Sequence, residues 1–182
     1  MKSNFRNFCL IMAAAAVVAA CGNENEAPGT PAQHAASASD EQSSGVCSLL
    51  TREQVDTVIP GNDGGKERDA SEAALLKDVK MEFCQYLHIE GMNLKFLNLL
   101  IYKASSDEGF NQIKIGKWAH QGSSRELDIG DLGFLLDMSE QNEMMATASK
   151  GRTVFELKLI ADDAPAKSEQ LIALARIVGG KI

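Results

Sequence analysis

Apolar and polar positions recur along this chain with two different periods, and the switches between them outline the elements. From Met81 to Ile89 the period is two: Met81, Phe83, Leu87 and Ile89 point one way, and Cys84, Tyr86 and His88 the other. That alternation predicts a strand. Asn93 to Lys103 is apolar on both sides, with Leu97, Leu99 and Ile101 on one face and Leu94, Phe96, Leu100 and Tyr102 on the other. A strand with two apolar faces belongs inside a sheet rather than at its edge. Glu90-Gly91-Met92 joins the two strands and is short enough to demand a hairpin. Phe134 to Met138 reads as a third strand. Glu143–Ser149 and Thr153–Ile160, joined by Lys150-Gly151-Arg152, form a second hairpin.

Three stretches carry helix signals instead. Thr51 followed three residues on by Gln54 is a capping box, and Leu50 with Val55 is the matching hydrophobic staple. This helix should run to about Ile59, where Pro60-Gly61 stops it. Ser105-Ser-Asp-Glu108 is a second capping box, opening a helix with Phe110, Ile113 and Trp118 on its apolar side. Asp163 should cap a last helix with Pro165 in its first turn. Leu171, Leu174, Ala175 and Val178 form its buried stripe, and Gly179-Gly180 should end it. Residues 62–70 and 120–126 are polar and read as loops, and Ala70–Lys80 as a weak helical turn. Hairpin-length connections imply an antiparallel sheet. The expected fold is therefore α+β: an antiparallel sheet of about five strands, covered by two or three helices, spanning residues 47–182.

The residues before 47 follow neither period. Lys2 and Arg6 precede a 13-residue apolar run from Phe8 to Ala20, too short to span a bilayer and suited to a secretory signal peptide over residues 1–20. The run closes Val18-Ala19-Ala20-Cys21-Gly22. This resembles the lipobox of bacterial lipoproteins, although Leu is the usual residue where Val18 stands. The resemblance implies cleavage before Cys21, diacylglycerol (palmitate-type) modification of its sulfur and anchoring in a membrane. Ordinary signal-peptidase cleavage is the alternative. Gly22, where inner-membrane lipoproteins typically carry Asp, implies the outer membrane, facing the periplasm. Residues 21–46 hold Gly, Asn, Pro, Ser and Ala with no Lys, Arg or aromatic residue, a composition that predicts a disordered tether.

The folded portion has a resemblance of its own. It is carried by Cys47-Ser-Leu-Leu-Thr51 with Val55 following, Cys84-Gln-Tyr86 in the first strand, Asp131-Leu-Gly133 before a later strand, the Lys150-Gly151 hairpin and the closing amphipathic helix. Together these resemble a group of small bacterial lipoprotein domains of unknown function. The similarity implies architecture and location, and no activity.

Charge and chemistry narrow the functions. The formal charge of −7 over 182 residues is the wrong sign for nucleic acid or for an anionic membrane surface. Cys9 leaves with the leader and Cys21 is spoken for, so Cys47 and Cys84 remain. In an oxidising compartment they should pair into a disulfide. A redox-active Cys47 near a helix N-terminus is the competing reading. His88 is expected on a strand face and His120 at a helix end, neither with a second ligand at metal spacing. Asp128, Asp131 and Asp137 do not follow calcium-loop spacing, and Asn62-Asp63-Gly64-Gly65 reads as a turn. No catalytic site, metal or cofactor is expected. The chain should be a non-catalytic binding or accessory module, held to a lipid bilayer through Cys21 and recognising an envelope protein or small ligand. The alternatives are an inhibitor of an envelope-targeting hydrolase and an enzyme with an unadvertised site.

Overall fold

A computed structural model describes residues 45–68, 76–113 and 123–182 of the chain. The expectations placed on the leader, Cys21 and most of the tether, and on Trp118 and His120, lie outside those residues. Within them the fold is α+β, built on one antiparallel sheet. The strands are β1 (Lys66–Glu67), β2 (Val79–Glu90), β3 (Asn93–Ala104), β4 (Ser123–Leu127), β5 (Leu132–Met138), β6 (Glu143–Lys150) and β7 (Thr153–Ile160). Their order across the sheet is β1-β2-β3-β7-β6-β5-β4, so the sheet has seven strands rather than about five. The two extra strands are its edges. β1 is only two exposed residues, and β4 falls where a loop was expected.

The helices are α1 (Arg52–Asp56), α2 (Asp107–Ile113) and α3 (Ser168–Lys181). Both halves of the Thr51 capping box form: Thr51 N donates to Gln54 Oε1 at 2.9 Å and Gln54 N to Thr51 Oγ1 at 3.3 Å. The helix stops at Asp56, short of Ile59, and the chain continues in turns that bury Val58 and Ile59. At α2 the cap falls on Ser106 rather than Ser105, since Gly109 N donates to Ser106 Oγ at 3.0 Å. Asp163 makes no side-chain cap; a 3-10 turn over Ala164–Lys167 intervenes before α3. Gly179 and Gly180 do not end α3, which runs on to Lys181. A Cβ on Gly179 would press into Ile129 at 2.7 Å, so this glycine lets the helix lie close to the sheet.

One sheet face is the main core. In register across the middle of the sheet stand Cys84, Leu99, Leu157, Ala146 and Leu135. Over them pack Leu171, Ile172, Leu174, Ala175 and Val178 of α3, all buried, at about 1.5–3 kcal/mol for each large aliphatic side chain. Val46, Leu50, Val55, Val58 and Ile59 close the β2 side of the same core. On the opposite face α2 places Ile113 and Phe110 against Val154, Val79 and Tyr102.

Candidate functional site

The segment just before α1 is fastened to β2. Gly45–Leu49 forms a 3-10 turn with Val46 and Cys47 buried. Cys47 and Cys84 are bridged by a disulfide with their Cα atoms 5.2 Å apart. Both sulfurs are taken and both residues are buried, so neither offers the solvent-facing thiolate that a redox role requires. Two residues along β2, Tyr86 is completely buried and its hydroxyl lies 3.0 Å from the Cys47 carbonyl and 3.2 Å from the Leu50 carbonyl. Burial holds that phenol far above its ordinary range, so it stays a donor. Nothing in the sequence points to this second fastening, because a tyrosine on a strand reads as ordinary packing.

The turn after α1 is built from its own side chains. Asn62 is buried; its amide group donates to Asp56 Oδ1 at 2.8 Å and its carbonyl oxygen accepts from Gly64 N at 2.9 Å. Asp63 Oδ1 accepts from Leu87 N at 3.0 Å, which ties the turn to β2. His88 Nδ1 donates to the Gly61 carbonyl at 3.0 Å and is half-buried there. His88 therefore braces a loop. Two of the acidic residues after β4 are similarly occupied. Asp131 accepts from Gly151 N at 2.6 Å, and Asp137 accepts from Ser139 N at 2.9 Å. Asp128 and Asp131 share a shallow hollow of about 240 Å³ with Glu126. Among the described residues no three His, Cys, Asp or Glu side chains converge as metal ligands.

The larger opening is a groove of about 540 Å³ along the β1–β2 edge, beside Gly45. Met81 and Phe83 supply apolar surface, and Glu67, Arg68, Lys80 and Glu82 supply charge of both signs. Glu82 sits between Lys80 at 2.8 Å and Lys103 at 2.9 Å. The hydrogen bond from Lys80, then that from Lys103, holds its carboxyl below the usual range. This arrangement can read a ligand with an apolar portion and one or two charged groups. Among the described residues it places no base next to a nucleophile.

Two further features escaped the sequence reading. Glu156 lies on the second sheet face in register with Leu100 and Thr147. Burial pushes its carboxyl up to about 7, with Lys158 opposing. At the far end of β2 and β3, Ile89, Met92 and Leu94 are 64%, 102% and 51% exposed. Alternation assigned Ile89 and Leu94 to strand faces, but it carries no information on how far a hairpin extends beyond its neighbours.

Compared with known proteins, the chain matches no family model, no curated protein and no solved structure.

Proposed function

We propose that this chain is a bacterial envelope lipoprotein, anchored through an acylated Cys21 in the outer membrane and facing the periplasm, that acts as a non-catalytic binding module. The lipobox-like Val18-Ala19-Ala20-Cys21 supports the anchor. The observation that carries the binding role is the edge groove, lined by Arg68, Lys80 and Glu82 together with the apolar side chains of Met81 and Phe83. Among the described residues, several groups that could do chemistry elsewhere are held by the scaffold: Cys47 and Cys84 in the bridge, His88 on Gly61, Asp131 on Gly151. A shallow groove gives modest affinity, and a tether raises the effective concentration of partners at the same membrane, so modest affinity is enough.

Two measurements test this. Intact mass of the protein extracted from membranes should show an acylated chain beginning at Cys21, and Cys21→Ser should release it. A photoreactive residue in place of Arg68 should capture a partner in intact cells, and one in place of Asp128, in the smaller hollow, should not. A purified protein that turns over a wall, lipid or peptide substrate, and loses that turnover with His88→Ala and His120→Ala together, would falsify the binding reading.

A further inference from the structure

The β2–β3 hairpin is longer than the sheet it belongs to. β3 pairs with β7 only as far as Phe96↔Ile160, and β1 reaches β2 only at Cys84 and Gln85. Beyond that register β2 and β3 continue alone through His88↔Lys95, Ile89↔Leu94 and Glu90↔Asn93. At about 3.4 Å per residue the two-stranded part projects on the order of 10 Å past Phe96. Ile89 and Leu94 are cross-strand partners on one face of this finger, and Met92 is its fully exposed tip. The opposite face is braced by the bond from His88 to Gly61, and the base by the bonds between Asp63 and Leu87. A stiff finger thus presents three aliphatic side chains to water.

We propose that this tip is a second membrane contact, in which Ile89, Met92 and Leu94 enter the boundary between headgroups and acyl chains of a zwitterionic bilayer. The proposal rests on the lipid-anchor reading for proximity to the membrane. Twenty-three residues lie between Cys21 and Gly45, and a chain of that length can reach about 80 Å at full stretch. Gly45 lies beside Glu67, which pairs with Cys84, so the tip begins five residues along β2 at Ile89, about 17 Å away. The reach is ample. The chemistry favours lipid over protein. A stable protein interface takes about 800 Å² from each partner and draws its energy from Trp, Tyr and Arg anchors. The tip offers three aliphatic side chains and no aromatic ring. A bilayer needs no shape match and rewards apolar area directly. Glu90 and Lys95 offset each other, so the contact needs no anionic lipid.

Met92 is itself the reporter. The whole chain, as cells process it, is prepared in wild-type form and as Cys21→Ser. Each is mixed with phosphatidylcholine vesicles and a charged, water-confined oxidant, and sulfoxide formation at Met92 is followed by peptide mass spectrometry. The expected result is oxidation slowed roughly fivefold or more on the vesicles. Ile89→Asn with Leu94→Asn, both at exposed positions, should restore the rate in solution, and circular dichroism checks that the variant is folded. An acylated, vesicle-bound chain whose Met92 oxidises as fast as in solution overturns the tip contact while the anchor stands. Protection of Met92 at high lipid in a wild-type chain whose intact mass shows no acyl group supports the tip contact while the anchor falls. Protection that requires added envelope proteins assigns the tip to a protein partner and overturns the proposal.

Discussion

Tyr86→Phe removes one oxygen from the centre of the molecule. That oxygen serves two buried carbonyls, of Cys47 and Leu50, at 3.0 and 3.2 Å. The lost bond is worth about 1 kcal/mol, and leaving buried carbonyls short of a donor adds about as much again, so the variant should lose roughly 2 kcal/mol. At a urea slope near 1.5 kcal/mol per M this lowers the midpoint by about 1 M. The disulfide two residues away closes a separation of 37 residues, worth about 4 kcal/mol in the chain-entropy model. Both devices hold the same short segment to β2, so their effects should not add. In a Cys47→Ala, Cys84→Ala background the Gly45–Leu50 segment is already loosened, and Tyr86→Phe should cost less than about 1 kcal/mol there. Urea unfolding of the four proteins in the cycle measures this. An unmoved midpoint with the bridge intact, or an equal cost with and without it, refutes the idea that bridge and hydroxyl form one clamp.

Glu156 supplies a pH test. Its carboxyl has a folded-state value raised from 4.5 to about 7, so the folded chain holds that proton more tightly than the unfolded chain does. Its contribution is complete below about pH 4.5 and is lost as pH rises through 7, at a cost of about 3 kcal/mol. Glu156→Gln should therefore raise the thermal midpoint at pH 8, change little at pH 4 and flatten the profile between. Two glycines separate backbone strain from collision. Gly130 and Gly151 both have positive φ, 67° and 57°, but a Cβ on Gly130 would strike the Ser149 carbonyl while one on Gly151 meets open space. Gly151→Ala should cost about 1 kcal/mol and Gly130→Ala more than about 2, read from urea midpoints.

The interior of the sheet was legible because burial imposes a period. β2, β3, β6 and β7 carry apolar side chains at every second position, and their observed ends fall within two residues of the expected ones. The edges were not legible for the same reason. Lys66 and Glu67 are both exposed, and Ser124, Arg125 and Glu126 are exposed ahead of a buried Leu127, so nothing in either pattern separates strand from loop. Helix ends were misread where packing outranked local signals. Val58 and Ile59 continue the apolar stripe of α1 as core residues in a turn. Gly179 follows the stripe of α3 because Ile129 leaves no room for a side chain, and a glycine of that kind looks the same in sequence as a stop. Of the candidate sites, the Cys47–Cys84 pair could be had by elimination. The groove and Glu156 could not, since each depends on which side chains the strand register sets side by side.

The clamp at the start of the described chain has a mechanical consequence. Tension arriving through the residues before Gly45 reaches Cys47 first, and the covalent bridge passes it straight to Cys84, inside β2. The chain between the two cysteines, with α1 and the Asn62 turn, drops out of the load path. The pull is then borne by a strand that keeps twelve cross-strand pairs with β3, from Val79↔Ala104 to Glu90↔Asn93. A molecule loaded this way should yield under force only when β2 itself is torn from the sheet. Reduced at the same pair, it should instead unravel from Gly45 inward, one turn at a time.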